Sequence, residues 1–280
     1  MTLRPVIASM LLLFPLGAGR AAAQRPGAYL AELTWPDAER RFREAPIVIV
    51  PFGAGAKEHG PHLPLGADQI VLDYLLQLAV DSVPVLVAPA ILHGWFPAFR
   101  AFPGTGIDDP DVFWRYAFDI GRTLVRHGAR RVLFLNTGIT RSTGIPLGIA
   151  VRELHASSRV PTLLVSWDDL ETEETDRIAE QRAGSHADEI ETSIMLALRP
   201  ELVHMDRAVT DYHGAPAASF PGYRPSDFSR TPADPDYSET GIFGDPRLAS
   251  AAKGRRALAI MSAQWLKALR GFATVPVPSR

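Results

Sequence analysis

The alternation of two kinds of segment, which begins at residue 45, limits the possible folds more than any other feature. One kind is a short run of β-branched and other apolar residues, which predicts a buried strand. The other kind is longer and has apolar residues at helical spacing; one such segment opens with Asp109 and Pro110, an N-cap and a first-turn proline. The predicted strands are residues 47–52, 84–91, 131–136 and 162–167, and the predicted helices are 68–78, 110–127, 143–155, 188–198 and 247–269.

Alternating strands and helices predict an α/β fold, with a mainly parallel sheet covered by helices on both faces. The chain has 280 residues, of which 46% are hydrophobic, so a sizeable core is available. We expect a single domain from residue 24 to residue 280. Residues 212–245 are rich in Pro, Ser, Gly and Asp, a composition that predicts a long irregular surface loop, the predicted surface excursion. Ligands of such sheets bind at the carboxyl ends of the strands.

Residues 1–23 have the features of a signal peptide for export. Arg4 supplies a positive start, and residues 7–16 form a mostly apolar run that is short for a bilayer span. Residues 21–23 are alanines, the small residues that a signal peptidase reads. We therefore expect cleavage near Ala23 and a periplasmic or secreted protein, with an uncleaved membrane anchor as the alternative.

The charge balance and the absence of cysteine restrict the chemistry. Lys and Arg number 29 against 31 Asp and Glu, which argues against a dedicated nucleic-acid-binding protein. Since there is no cysteine, any metal must be bound by His, Asp or Glu, a donor set that suits zinc, manganese or iron.

Histidines and carboxylates are concentrated in the loop that follows the first predicted strand. His59 and His62 lie there with Glu58 and Asp68, beside Lys57. Imidazole and carboxylate groups are what a hydrolytic metal needs, together with an open position for water. A loop with ordinary surface charges explains the same residues equally well.

A second polar segment stands at the start of a later predicted helix. It contains His186, Asp188, Glu189 and Glu191, which could supply ligands and a general base. Asp188 and Glu191 also have the spacing of a capping box, and acidic residues are favoured at a helix N-terminus. Taken alone, this segment is better explained as a helix cap.

Taken together and in this order, four segments resemble the creatininase (creatinine amidohydrolase) family, over roughly residues 45 to 270. They are a His-Gly-Pro-His-Leu-Pro-Leu stretch ending in Asp, a Phe-Pro-Gly-Thr turn, a His-Ala-x-Glu-x-Glu-Thr-Ser helix start, and a C-terminal Gly-Asp-Pro with a Lys-Gly further on. In this chain they are residues 59–68, 102–105, 186–193, 244–246 and 253–254.

The resemblance implies a three-layer αβα domain, often assembled into hexamers, with a pair of metals at the strand ends. Members of the family hydrolyse C–N bonds in cyclic amides, formamides or peptide tails. By position, His59 and Asp68 match two of the metal ligands, and Asp68 matches the residue that bridges the metals.

Three positions depart from the family pattern. Lys57 stands where the family has a Glu ligand, Phe99 stands where a His is expected, and residues 136–141 lack the His of the family's Asn-Gly-His stretch. Two ligands of one metal are therefore missing together, and a lysine stands at the position of one of them.

Two arrangements follow from these departures. In the first, the Lys57 ammonium takes the place of one cation, and a single metal is held by His59, Asp68 and Glu191. In the second, Glu58 swings in through a longer loop and restores a second metal site.

The leading interpretation is a metal-dependent amidohydrolase that acts through a metal-activated water on a small cyclic amide, formamide or peptide-like substrate. Zinc is preferred over manganese or iron. His186 is the candidate general acid/base, and Glu189 either orients the site or remains a helix-start carboxylate. His62 either hydrogen-bonds the ligand shell or is a structural loop residue. A homo-oligomer, a hexamer by family analogy, is expected.

Two other functions stay open. One is a non-catalytic ligand-binding protein on the same fold, with the metal site degraded, because a fold alone does not fix a function. The other is a hydrolase of a different class, such as a lactonase, in which Lys57 acts directly on the substrate.

Overall fold

The computed structural model describes residues 25–212 and 237–278. The predicted signal peptide, together with residues 213–236 of the predicted surface excursion, lies outside the described residues. Of the helices in the described ranges, none combines the length and the apolar character needed to cross a membrane.

A parallel sheet of five strands lies at the centre of the protein. In chain order the strands are β1 (Ala28–Tyr29), β2 (Ile47–Phe52), β3 (Val85–Val87), β4 (Val132–Asn136) and β5 (Thr162–Ser166). Their spatial order is β1-β3-β2-β4-β5, and each pair of neighbours runs parallel. The predicted fold class is therefore confirmed, with β2 as the central strand.

Helices cover both faces of this sheet. They are α1 (Trp35–Glu44), α2 (Ala67–Ser82), α3 (Pro110–Arg126), α4 (Thr140–Ser158), α5 (Trp167–Leu170), α6 (Glu173–Asp176), α7 (Glu189–Leu198) and α8 (Ala251–Ala273). The first helix was not predicted, because only Phe42 of its ten residues is buried and its apolar pattern is correspondingly weak.

The two faces of β2 belong to two separate cores. Ile47 and Ile49 pack with side chains of α2, α7 and α8, whereas Val48 and Val50 pack with side chains of α3 and α4. Successive side chains of a strand point to opposite faces, so a strand covered on both sides must be apolar throughout. This explains the uninterrupted apolar run that predicted the strand.

Several predicted boundaries differ from the structure by three or four residues, and two of these differences have a clear local reason. The strand predicted at 84–91 is only three residues long, since Pro89 has no N–H to donate to a ladder. The helix predicted from residue 247 starts at Ala251, because Pro246–Leu248 forms a separate 3-10 turn. Ser250 then caps α8 by accepting a hydrogen bond from the Lys253 N–H at 3.3 Å.

The connection order opens a crevice at the carboxyl ends of β2 and β4. The chain passes from β2 to β3 on one side of the sheet and then crosses to β4 on the other side. The segments that leave β2 and β4 therefore diverge toward opposite faces, which is where ligands bind in open α/β sheets. Thr137, directly after β4, joins the two sides of this crevice, because its hydroxyl donates to the carbonyl of Asp68 in α2 at 3.0 Å.

Candidate functional site

The loop between β2 and α2 turns back on itself and directs its polar side chains into the crevice. The Lys57 N–H donates to the Leu65 carbonyl at 2.9 Å, which closes the loop. Gly60 has a φ of 68°, and an added Cβ would lie 2.9 Å from the His62 ring, so only glycine fits this turn. Asp68 follows in the first turn of α2.

Three side chains of this segment form a buried polar cluster. Lys57 Nζ lies 2.9 Å from Asp68 Oδ2, and His59 Nε2 lies 2.8 Å from Asp68 Oδ1. His59 Nδ1 donates to the Lys57 carbonyl at 2.8 Å, because a carbonyl oxygen can only accept. This bond fixes the ring so that Nε2 faces Asp68. The structure thus brings together Lys57, His59 and Asp68, with the lysine on the aspartate as the first predicted arrangement requires.

The charge of Asp68 is balanced locally. Burial would raise the pKa of this carboxyl, but the Lys57 ammonium and then His59 outweigh burial and hold the pKa well below its ordinary value. Oδ2 has the Lys57 ammonium, 2.9 Å away, as its charge partner. Lys57 therefore acts on Asp68 as a compact positive charge, as a bound metal ion would.

Glu58 turns away from this cluster toward His186. Its Oε2 lies 3.1 Å from His186 Nε2, and its Oε1 accepts from the Gly60 N–H. On the other side of the ring, His186 Nδ1 lies 3.7 Å from Glu191 Oε2. In the structure Glu58 therefore faces His186 rather than Asp68, and the turn at Gly60 holds the loop in the path that directs it there.

The backbone beside His186 is unusual. Ala187 is fully buried and has a φ of 48°, a region that residues other than glycine rarely adopt. Glu191 Oε2 accepts from the Ala187 N–H at 2.6 Å, and Asp188 caps α7 by accepting from two N–H groups of its first turn. Non-glycine residues in this conformation cluster at functional sites, and here the Ala187 N–H holds the Glu191 carboxylate beside the His186 ring.

Glu189, predicted either to orient the site or to remain a helix-start carboxylate, faces Lys253 and the backbone of residues 180 and 181. Its carboxylate is fully buried, accepts from the N–H groups of Glu180 and Gln181 at 2.8 and 2.7 Å, and bonds to Lys253 Nζ. The Lys253 contact joins α7 to α8, and the two N–H groups join α7 to the segment that precedes it. These contacts favour the structural one of the two roles predicted for Glu189.

His62 is likewise a structural residue. It is fully buried, and its Nε2 lies 2.8 Å from Thr192 Oγ1 on α7. Burial lowers its pKa to about 4, so the ring is neutral at physiological pH. The contact joins the β2–α2 loop to α7 and so supports the two segments that carry the site.

A cavity of about 460 Å³ opens beside both polar groups. Lys57, Asp68, His186 and Glu191 all contribute to its wall. Phe99 covers one side, with its ring 4.4 Å from the His186 ring and 5.4 Å from Lys57 Nζ. The remaining wall includes Ile139, Trp167, Asp168, Glu171, Gln181 and Phe243. This volume suits a small molecule and lies at the carboxyl ends of the strands, as expected.

Comparison with known proteins identifies the family. The family model described as "Creatininase: Creatinine amidohydrolase" matches residues 31–269. The chain belongs to the creatininase family. The creatinine amidohydrolase of Pseudomonas putida is 31% identical to it over 250 residues, 83% of this chain and 92% of that protein. A mycofactocin precursor peptide peptidase of Mycobacterium tuberculosis is 29% identical over 233 residues, 78% of this chain and 82% of that protein.

Solved creatininase structures have the same fold. A mutant creatininase in a Zn-Zn form and a creatininase in a Mn form align with TM-scores of 0.71 and 0.72. Each is 27% identical and covers 88% of this chain and 98% of its own chain. The three-layer fold is thereby confirmed. The hydrolase relatives support a metal-dependent amidohydrolase in general, and the Zn and Mn forms of the solved neighbours support a divalent metal as the usual cofactor of such proteins.

The side chains of this creatininase-family chain do not fit the family's metal pair. Carboxylate and imidazole ligands lie about 2.0–2.2 Å from a zinc ion. In the ranges that the structure describes, no group of three or more His, Asp and Glu side chains is arranged to hold an ion. Both oxygens of Asp68 face Lys57 and His59, while Glu58 and Glu191 face His186 and backbone N–H groups. The predicted ligand set of His59, Asp68 and Glu191 does not converge on one point.

Glu171 and Glu191, two of the carboxyls in the cavity wall, have pKa values well above their ordinary value. Burial raises the pKa of Glu191 to about 7, against the opposing effects of His186 and Lys57. Burial also raises the pKa of Glu171 to about 7, although Trp167 Nε1 donates to its Oε1 at 2.8 Å. Glu171 was missed in the sequence. The available signal was its position four residues after Trp167, on the segment that leaves the carboxyl end of β5.

Glu171→Gln is expected to raise the free energy of unfolding at neutral pH. The glutamine oxygen can still accept from Trp167, but it carries no charge to bury. The pKa of the Glu171 carboxyl is 4.5 in the unfolded chain and about 7 in the folded protein, so the free energy of unfolding of the wild type falls as the pH rises from 4.5 to about 7. The gain should grow from near zero at pH 4 to about 1–3 kcal/mol at pH 8. Urea unfolding at several pH values measures it, with exposed Glu174→Gln as the control; a gain independent of pH would contradict the assignment.

Proposed function

We propose that the chain hydrolyses a C–N bond of a small amide held in the cavity. The observation that carries this proposal is the convergence of Lys57, His186 and Glu191 on one 460 Å³ cavity, at the carboxyl ends of β2 and β4. Membership of a family of amidohydrolases supports the reaction type. Cyclic amides, formamides and peptide-like amides are the proposed substrate classes, and apolar Phe99 and Trp167 would pack against their carbon skeletons.

The chain's own groups can carry out each step of amide hydrolysis. Glu191 accepts a proton from water as the water oxygen adds to the carbonyl carbon. The buried Lys57 ammonium stabilises the negative charge that develops on the carbonyl oxygen. As the C–N bond breaks, the leaving nitrogen takes a proton from His186, whose Nδ1 is 3.7 Å from Glu191 Oε2. The proton taken up by Glu191 can then return to the imidazole.

Turnover of an amide panel tests this proposal. Creatinine, other cyclic amides, formamides and short peptide amides would be incubated with the protein, and the released amine measured by mass spectrometry. Glu191→Gln should lower kcat/KM by about 100-fold or more, because glutamine cannot accept the proton. Glu174→Gln, which removes an exposed carboxyl on α6, should leave turnover unchanged. Equal turnover by the two variants would exclude Glu191 from the reaction.

The second candidate is a ligand-binding protein on the same fold. It is favoured by the pairing of Lys57 with Asp68, which neutralises the aspartate that the family uses to bridge its metals. Calorimetric binding of amides without release of amine by the folded protein would support this candidate instead. Both candidates include export, from the predicted signal peptide, and a homo-oligomer, by analogy with the family.

A further inference from the structure

Asp68 is the residue on which the family's two metals would converge, and in this chain both of its oxygens already face positively charged or donor groups. Lys57 Nζ is 2.9 Å from Oδ2, and His59 Nε2 is 2.8 Å from Oδ1. All three side chains are at least 95% shielded from solvent, so water cannot screen the charges they bring together. An ion bound to Oδ2 would lie about 2 Å from it and therefore in the space of the ammonium.

Phe99 holds the ammonium in this position. Its ring centroid is 5.4 Å from Lys57 Nζ, within the range of a cation–π interaction. The same ring packs at 4.4 Å on His186. Phe99 and Lys57 thus fill the positions where the sequence pattern of the family led us to expect a His and a Glu, and they replace two metal ligands with an aromatic ring and the cation that it contacts.

The other acidic groups beside this cluster are held by partners of their own. Glu58 is bonded to His186 and the Gly60 N–H, and Glu191 accepts from the Ala187 N–H. A divalent ion at Asp68 would therefore meet a buried like charge and would have to break at least one of these bonds to gain a third ligand.

We propose that Lys57 is a built-in cation that takes the place of the family's metals at Asp68 and excludes divalent ions from this centre. The buried carboxylate is neutralised within the chain, with no need for an ion from solution. Because the same ammonium lines the cavity, it also supplies the positive charge that faces a bound ligand. This inference stands apart from amide turnover, since it concerns which cation occupies the centre.

A single substitution is expected to reverse the exclusion. Lys57→Glu replaces the ammonium with a carboxylate and gives Asp68 and His59 a third donor, so this variant should bind Zn²⁺ or Mn²⁺ at least about 100-fold more tightly than the wild type. Lys57→Gln removes the charge without adding an anionic donor and should show a smaller gain. Lys267→Glu makes the same change of charge at an exposed position of α8 and should show none.

The readout is metal content rather than activity. The intact chain and the three variants, purified without chelator or affinity tag, would be dialysed against micromolar Zn²⁺ or Mn²⁺. Elemental analysis and thermal melts with and without the ion would follow. The wild type should retain well under about 0.2 ion per chain and show no metal-dependent shift in Tm, whereas Lys57→Glu should retain about one ion and be stabilised by it.

Two results would overturn the proposal. One is a wild type that holds about one ion or more per chain, lost in a His59→Ala, Asp68→Ala double variant. The other is a Lys57→Glu variant that folds like the wild type and gains no metal. If Lys57→Glu does not fold even with metal present, the wild-type metal content and Lys57→Gln decide the matter. Amide turnover is scored separately, so failure of the hydrolase proposal does not change these outcomes.

Discussion

Replacing Lys57 with methionine is expected to lower the free energy of unfolding by about 3–5 kcal/mol at pH 7, because it leaves a buried carboxylate without its cation. The side chains of Lys57 and Asp68 are each only 4% exposed, so water cannot take over the role of the ammonium. Methionine fills a similar volume, which separates the loss of charge from the loss of packing. Exposed Lys267→Met should change the stability by less than about 0.5 kcal/mol.

The pH dependence of this loss has a defined sign. In the wild type the pKa of Asp68 is held below its ordinary value of 3.8, since Lys57 and His59 outweigh the effect of burial. The carboxylate therefore contributes stability above that pH, and the contribution is lost as the pH falls further. Without Lys57, only His59 opposes the effect of burial, so the pKa of Asp68 should be higher than in the wild type and the carboxyl should take up a proton earlier as the solution is acidified. The deficit should be largest at neutral pH and shrink toward pH 4.

A double variant isolates the pair. Lys57→Met with Asp68→Asn removes both charges and leaves an amide oxygen to face His59, so it should recover at least half of the lost free energy. Urea unfolding at pH 4 to 8 of the wild type, the single variant and the double variant measures all three quantities. A single variant within about 1 kcal/mol of the wild type at pH 7 would mean that the carboxylate finds another partner and that the ammonium is dispensable.

The sheet could be predicted from the sequence because its determinants are local. The apolar run in β2 and the capping signal at Asp109 act over a few residues, and the structure has a strand and a helix there. The sequence also predicted that His59 and Asp68 lie close together, as ligands of one metal, because both belong to one short segment with a family pattern; in the structure they contact each other directly. Where the pattern failed, as in β3, a proline interrupted hydrogen bonding that the apolar residues alone would favour.

The sequence could not predict in the same way which partner each carboxylate side chain faces. Glu58 is adjacent to the cluster in sequence, but the left-handed turn at Gly60 sends its side chain to His186. Glu189 lies in the motif with His186, yet its partner Lys253 is 64 residues away. The acidity of Glu171 depends on burial, a property of the folded chain. Side-chain orientation and desolvation are set by tertiary packing, which a one-dimensional pattern does not contain.

Gly254→Ala is expected to destabilise the protein by about 2–4 kcal/mol, although alanine favours helices by about 1 kcal/mol over glycine. An added Cβ at this position of α8 would overlap the Ser193 carbonyl and lie 2.8 Å from the Ile194 nitrogen on α7. These are backbone atoms, so the two helices must move apart. They are also held close by the bond of Lys253 to Glu189 and by the Ser250 N–H, which donates to Ser193 Oγ at 3.0 Å. The Lys-Gly pair of the C-terminal motif thus has a structural explanation.

Gly271→Ala provides the matched control in the same helix. No heavy atom lies within 4 Å of a Cβ built there, so alanine should raise the free energy of unfolding by up to about 1 kcal/mol through helix propensity alone. The two substitutions are chemically identical and should shift the urea midpoint in opposite directions. Since His186 and Glu191 are positioned by the start of α7, Gly254→Ala should also lower turnover of any amide the wild type cleaves, while Gly271→Ala should not. Equal effects of the two substitutions on stability would mean that α7 and α8 do not approach as closely as the Gly254 contact requires.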